Sequence, residues 1–550
     1  MRQSYLQVHP ADNILAALQD LAAGTPIQWQ EKHFFLKETI PAKHKFAIQD
    51  LAAGDALYMY GVLVGKASQK IQKGSRIRIE NTVHAAQNFD TKQKKATWSA
   101  PSIEKWKNRT FKGYYRSNGT VGTMNYWLVI PLVFCENRNV EVIKSALLEP
   151  LGYGSYQQFS VNTKHLIQAY QEGASSADLL QTSVLKDAQE IQQNRVFPNV
   201  DGIKFLTHEG GCGGTREDAK TLCRLLATYI VHPNVAGATV LSLGCQNAQI
   251  ELLQDSIADI DHTFSKPLYV LEQQKSISER DFIETAVKQT FVGLTEANKI
   301  ERQAAPIAKL SLGLECGGSD GFSGISANPT LGHTSDLLVA LGAKTILSEF
   351  PELNGVEQEL INRCETPELA KKFAHLMRTY AKRAEAVGSG FKNNPSPGNI
   401  KDGLITDAMK SAGAAKKGGT SPIVSVLDYT EIASQAGLHL LCTPGNDVES
   451  TTGLAGAGAN LIVFTTGLGT PTGNPITPVI KMSSNTKLYK RMKDIIDFNA
   501  GTIISGEDSI ESKGEELLEY LIEVASGAKT PHAVRLGQED FIPWKRGISL

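Results

Sequence analysis

No segment of the sequence approaches the roughly 20 mostly apolar residues that a membrane-spanning helix needs, which excludes an integral helical membrane protein. Neither sign of charge is in excess. Lys+Arg number 56 and Asp+Glu 57, a formal net charge of −1. That balance excludes a protein that works by coating nucleic acid or an anionic bilayer. Cysteine is sparse: Cys135, Cys212, Cys223, Cys245, Cys316, Cys364 and Cys442 are dispersed, odd in number and free of any Cys-x-x-Cys pair. Such usage excludes a disulfide scaffold and suits a reduced interior. Residues Met1–Pro10 lack the basic head and apolar core of a secretory signal, so the expected compartment is the cytoplasm. There are no internal repeats and no heptads.

What is present is ordinary globular material: 550 residues, 41% hydrophobic and 21% charged, with a mild excess of glycine at 48 residues. At roughly 100–200 residues per domain the length allows about three or four domains. Residues 1–85 read as β-rich. A short helix is expected over Ile14–Ala22 behind Asp12 as N-cap, then strands at Thr25–Trp29, His33–Glu38, Ala56–Tyr60 and Arg76–Glu80, the last alternating at period two. Residues 86–111, with Lys92, Lys94 and Lys95, read as an exposed linker. From Gly113 the grammar becomes strand, glycine-rich turn, helix, which predicts parallel sheets with sites at strand carboxyl ends. Strands are expected at Tyr126–Cys135, Gly202–His208, Ala238–Leu243, Leu268–Glu272, Lys309–Leu314, Thr345–Ser348, Ile423–Leu427, Leu438–Cys442 and Leu461–Thr465. Helices are expected at Arg216–Val231, Asp281–Phe291, Ser335–Leu341 and Lys513–Ser526.

Standard motifs are nearly absent. Gly61–Ala67 falls one residue short of a P-loop and reads as a hairpin turn. Gly317-Gly318-Ser319-Asp320-Gly321 fits the hydrolase elbow, yet Gly324 and Pro329 delay the helix that should follow. A recurrence carries more. Three apolar strands run into glycine–cysteine turns that hold Cys212, Cys245 and Cys316, with His208, Glu315 and Asp320 beside them. Three parallel neighbours would set these thiols on one rim, where thiolates hold iron or a group acts as acid or base. In the N-terminal unit His9, Asp12, Asn13, His44, Lys45, Glu80 and His84 concentrate imidazole and carboxylate, donors suited to a first-row divalent metal.

Several runs then make the chain recognisable. Ile40–Ala47, Asn118–Gly122, Gly313–Gly321, Asn394–Asn399, Pro444–Asp447, Leu454–Gly458 and Thr466–Pro471 resemble the altronate/galactarate dehydratase family over nearly the whole length, and more closely its altronate-acting members. The resemblance implies a multidomain α/β fold. A SAF-like β-clip domain would occupy 1–85, a linker 86–111, an α/β middle domain 112–260 and a large α/β domain 261–550, with largely parallel sheets. It implies a hydro-lyase that removes water from a sugar acid, with altronate the expected substrate and galactarate the alternative. A sugar-acid-binding protein without turnover is the alternative of another class. A small-molecule partner and a homo-oligomer are expected, with no nucleic acid and no membrane.

The expected cofactor is a divalent metal, iron(II) or else manganese(II), with a [4Fe-4S] cluster as a further alternative. His9, His44, Glu80 and His84 are its expected ligands, with Cys212, Cys245 and Cys316 as alternative iron ligands. Catalytic roles fall to His44, Lys45, His208, Cys212, Glu315, Cys316 and Asp320. Substrate contacts fall to Asp12, Asn13, Asn125, Ser319, Asn446 and Asp447. Arg78-Ile79-Glu80-Asn81 stands where many relatives carry a His-x-His-Asn strand end, and Met124 and Gln246 replace residues common among them.

Overall fold

A computed structural model describes residues 4–94, 97–154, 159–187, 194–547 and 549. The N-terminal unit is a set of short antiparallel pairings. Ile14–Ala17 lies between Tyr5–Leu6 and Lys45–Ala47, Pro26–Trp29 pairs with Lys32–Phe35, and Ala56–Met59 with Val62–Ala67. The helix expected from Ile14 is therefore a strand. Its four residues are all buried, and partners on both sides outweigh the weak helical preference of Leu-Ala-Ala. Arg76–Glu80 also departs from expectation. Apart from one bridge at Arg76 it forms no ladder, because Asn81 accepts from the Arg78 N–H and donates to Arg76 O, closing a turn. The P-loop-like segment is the hairpin expected of it, turning at Tyr60–Gly61.

The described part of 86–111, expected as an exposed linker, instead packs in places against the C-terminal domain. Trp106 is buried and donates to Glu519, and Lys92 donates to the carbonyls of Asn362 and Cys364.

The middle sheet comprises β1 (Tyr126–Pro131), β2 (Gly202–Phe205), β3 (Val235–Ser242) and β4 (Leu268–Glu272) in the order β2-β1-β3-β4, all parallel. It runs past residue 260. Helix α1 (Arg216–Val231), capped by Thr215, packs on it through Leu222, Leu225, Leu226 and Ile230. These apolar positions recur at three and four residues, the stripe a helix needs to face a core.

The second sheet is larger. It holds β5 (Ser311–Cys316), β6 (Lys344–Leu347), β7 (Ile423–Leu427), β8 (Gly437–Leu441), β9 (Leu461–Thr466), β10 (Val479–Ser483) and β11 (Phe498–Asn499). Their order is β7-β8-β6-β5-β9-β10-β11, and every pairing is parallel. Helices α2 (Ala327–Ala340), α3 (Asp407–Ala414), α4 (Asp447–Gly456) and α5 (Ile510–Ala525) surround it. β5 and β9 are buried along their whole length, as strands covered on both faces must be. No helix among the described residues is long and apolar enough to cross a membrane.

Candidate active site

The carboxyl ends of β5 and β6 gather the densest set of buried ionisable groups. β5 ends on Glu315 and Cys316, and just past β6 stand Ser348, Glu349 and Glu352. Asp447 begins α4, Lys410 lies on α3, and Lys417 follows α3. Glu315, Cys316, Glu349, Glu352 and Lys417 are buried, and Asp447 lies nearer solvent. Glu349 holds a left-handed backbone at φ 65°, a costly conformation for a side-chain-bearing residue and typical of functional sites. Gly317 is needed for a different reason: a Cβ there would lie 2.2 Å from Asp447 Oδ2.

The polar contacts interlock. Lys417 Nζ donates to Glu349 Oε2 at 2.5 Å and to Cys316 Sγ at 2.8 Å. Lys410 Nζ donates to Glu352 Oε1 at 2.5 Å and to Asn394 Oδ1 at 3.0 Å. The hydroxyls of Ser348 and Ser450 donate to Glu315 Oε2 at 2.9 and 2.7 Å. Burial alone would lower the Lys417 ammonium, but Cys316, Glu349, Glu315 and Glu352 more than offset it and raise it. Burial and the Glu349 charge push Glu315 far up. Burial, Glu349 and Glu352 bring Asp447 to about 7. Glu352 goes the other way: burial opposes ionisation, yet Lys410 and Lys417 hold it below the usual carboxylate range.

Four carboxyl groups against two ammonium groups leave a formal charge of −2 when all are ionised. Two protons, or one divalent cation, balance it. Glu315, Glu349 and Asp447 present ligand atoms within 4.8 Å of one another, as do Cys316, Glu349 and Glu352. Glu315 Oε1 and Glu349 Oε1 are buried without a hydrogen-bond partner. Buried orphan acceptors in an all-oxygen set fit a hard divalent ion.

The expected residues divide sharply. Glu315, Cys316 and Asp447 belong to this centre, and the Ser319 carbonyl receives Asn399 Nδ2 at 2.7 Å. His9, Glu80 and His84 are exposed, and no histidine enters either ion-sized group found among the described residues. His44 instead meets Lys401 O through Nε2 at 3.1 Å. Lys45 is fully buried and donates to Gly403 O at 2.7 Å. Lys43 reaches Asp402 at 2.7 Å and Asp320 at 3.1 Å. The strip Lys43–Lys45 thus fastens the N-terminal unit to the C-terminal domain. Asp320 is saturated by Ser323, Ser484, Asn485, the Phe322 N–H and Lys43.

Asp12 accepts from the His9 and Gly61 N–H groups, Asn13 bridges Ala56 O and the Tyr58 N–H, and Asn125 donates to Asn199 O and Ala297 O. These contacts tie each of the three side chains to backbone groups of its own domain. Asn446 caps α4. Both His208 ring nitrogens are engaged, with Pro131 O and the Gly210 N–H. The single cysteine rim also fails. β2 and β3 lie in the middle sheet and β5 in the other, so buried Cys316 stands apart from exposed Cys212 and Cys245.

Glu349, Glu352, Lys410 and Lys417 were not expected. Their signal was present as two acids three residues apart at a strand end, and two lysines flanking Ser-Ala-Gly-Ala-Ala-Lys.

The fold and this centre define a class: a three-part α/β protein with a small N-terminal β unit and a centre of buried carboxylates and ammonium groups, the donor set of proton-transfer chemistry. The family models match in the same three parts. They are the altronate/galactarate dehydratase SAF domain over residues 3–85, the D-galactarate dehydratase/altronate hydrolase second domain over 113–298, and the D-galactarate/altronate dehydratase C-terminal domain over 307–549. The chain belongs to the galactarate/altronate dehydratase family and is a hydro-lyase. It is 32% identical over 549 residues to an altronate dehydratase of Bacillus subtilis (strain 168), covering 100% of both chains. It is 31% identical over 546 residues to an altronate dehydratase of Escherichia coli (strain K12), covering 99% of this chain and 100% of the relative. It is also 31% identical over 530 residues to a galactarate dehydratase (L-threo-forming) of Escherichia coli (strain K12), with 96% and 93% covered.

Proposed function

We propose that the chain dehydrates D-altronate to 2-dehydro-3-deoxy-D-gluconate in hexuronate breakdown in the cytoplasm, and that the carboxylate–lysine centre is where it does so. The observation that carries this reading is the interlocked set Glu315, Cys316, Glu349, Glu352, Asp447, Lys410 and Lys417 at adjacent strand ends. The full-length similarity to altronate dehydratases supports the substrate.

Loss of water from a sugar acid requires removal of a weakly acidic C2 proton and departure of the C3 hydroxyl. Charge gathers on the substrate carboxylate as the proton leaves, so fixed positive charge must already be in place. Lys417, kept charged by its anionic neighbours, is placed to provide it. Lys410, beside Asn394 and nearer solvent, is suited to hold the substrate carboxylate and to pass a proton to the departing hydroxyl. Glu352, held as a carboxylate by Lys410 and Lys417, takes the C2 proton at an Oε atom. The enol product then tautomerises to the ketone. Glu315, Glu349 and Asp447 would hold a divalent ion, iron(II) or manganese(II). Such an ion, when bound, supplies Lewis acidity toward the carboxylate and 2-hydroxyl.

The test is turnover of D-altronate and galactarate by purified protein with iron(II) or manganese(II) added, following the keto-deoxy acid. Formation from altronate in preference to galactarate is expected. Activity on galactarate alone transfers the substrate to that relative's, and binding of both without turnover overturns the catalytic reading.

A further inference from the structure

The carboxyl edge of the middle sheet collects every exposed cysteine of the chain. Cys135, Cys212 and Cys245 are exposed, while Cys223, Cys316, Cys364 and Cys442 are buried. Buried cysteines behave as small inert hydrophobes, whereas exposed thiols are open to oxidation and metals. The three exposed ones follow β1, β2 and β3 in turn. Those strands are immediate parallel neighbours in the order β2-β1-β3, so their loops leave the sheet side by side.

Backbone bonds tie the loops together at the cysteines. The Phe134 N–H donates to Gly210 O at 3.1 Å, and the Asn247 N–H donates to Gly211 O at 2.9 Å. Each of those four residues lies within two positions of Cys135, Cys212 or Cys245. Gly211 makes the crossing possible. It has φ +96°, and a Cβ there would lie 2.1 Å from Leu132 O, so a side chain would push the Cys212 loop off the end of β1. Gln274 Nε2 donates to Cys245 Sγ at 3.3 Å, and hydrogen bonds to sulfur are a usual companion of iron-bound thiolates.

We propose that Cys135, Cys212 and Cys245 together bind an iron–sulfur cluster of the [4Fe-4S] type, three thiolates holding three irons. Spacing decides against a single ion. A tetrahedral ion with metal–sulfur bonds of about 2.3 Å draws its sulfurs to within about 4 Å of one another. The ion-sized groups among the described residues, with ligand atoms within 4.8 Å, do not include these thiols. A cubane, which gives each iron its own thiolate, spreads its ligands further apart. The fourth iron then has no protein sulfur. Beside Cys212 opens a cavity of about 640 Å³, bounded by Thr207, Asn247, Glu449 and Trp544, with room for a small oxygen ligand on that iron. The proposal does not rest on altronate as substrate or on the carboxylate–lysine centre, because it concerns different residues in a different sheet.

The test uses the full-length protein, reconstituted without oxygen with ferrous iron, sulfide and a thiol reductant, then freed of excess reagents. Expected are a broad absorbance near 400 nm and roughly four irons and four acid-labile sulfides per chain. Cys135→Ser, Cys212→Ser and Cys245→Ser should each lose most of that absorbance while keeping the wild-type circular dichroism, since all three side chains are exposed. Cys316→Ser should keep the absorbance. Iron bound without labile sulfide, no absorbance at all, full absorbance in Cys135→Ser, or its loss in Cys316→Ser would each overturn the proposal.

Discussion

The junction with the N-terminal unit and the carboxylate–lysine centre both bury a lysine completely, and they treat its charge in opposite ways. At the junction Lys45 has one close partner, a carbonyl, and burial takes its ammonium down to about 7 even though Asp320 pulls the other way. At the centre Lys417 is no less buried, yet the thiol and carboxylates around it raise its pKa. Burial is common to both, so the number of anionic neighbours decides the sign. A lysine at a seam, its charge weakened by burial, is mortar. A lysine held charged among carboxylates is a preorganised field, the largest single contribution to many enzymes' rates.

The sharpest way to break this contrast is Lys417→Met. It strands Glu349 and Cys316 without their shared donor. Removing one partner of a buried pair costs about 3–5 kcal/mol, and turnover should disappear with it. The checks are the urea unfolding midpoint and turnover of altronate. A variant as stable and active as wild type would reduce the centre to a second seam.

Next come Lys410→Met and Glu352→Gln. Both break the buried Lys410–Glu352 pair, so each should also lower the urea midpoint, and in the folded protein turnover should fall about 10²–10⁴-fold, the usual worth of a positioned acid or base. The double variant should be little worse than either single one, because residues acting as a unit are non-additive. Multiplying losses would mean that the two act separately.

Lys45→Met tests the other side of the comparison through pH. The unfolded chain takes up a proton on Lys45 below about 10.4, whereas the native chain takes it up only near 7. Between those values the unfolded state binds more protons, so this group makes native stability rise with pH across that window and level off below it. The stability of Lys45→Met relative to wild type should therefore improve as pH falls from about 10 to 7 and stay constant below. A pH-independent difference in urea midpoints would show Lys45 charged in the native chain.

Much of this was legible in the sequence. The parallel strands and long helices follow from apolar runs bounded by glycine, and Arg216–Val231, Leu268–Glu272 and Ile423–Leu427 fall where expected. Ile14–Ala17 was not legible, because its strand is imposed by non-local partners on both sides, in the pairings with Tyr5–Leu6 and Lys45–Ala47. In the site, Glu315 and Cys316 announced themselves at a strand end. Glu349 and Glu352 did so only weakly, and Lys410 and Lys417 scarcely at all, since helix residues reach a strand end only once the sheet order is known. The cysteine rim shows the same limit. Strand, glycine, cysteine recurs at Cys212, Cys245 and Cys316, but which strands are neighbours is a property of topology, and topology exchanges Cys316 for Cys135.

The smallest expected effect belongs to His44→Ala, and it bears on where the seam ends and the chemistry begins. His44 lies in the strip that joins the N-terminal unit to the C-terminal domain. Its Nε2 meets Lys401 O, and its buried Nδ1 has no partner. Burial, with the charges of Arg76 and Lys45, lowers its pKa, so the ring is neutral at pH 7 and holds the Lys401 carbonyl as an ordinary donor. One neutral hydrogen bond is worth about 0.5–1.5 kcal/mol. Alanine should cost that much in unfolding, leave metal content unchanged and lower turnover less than about threefold, since a misplaced loop 401–403 is its only route to the centre. Loss of bound metal together with turnover in a stably folded His44→Ala variant would extend the centre across the junction. A stability loss alone keeps the imidazole with Lys45, as part of the seam.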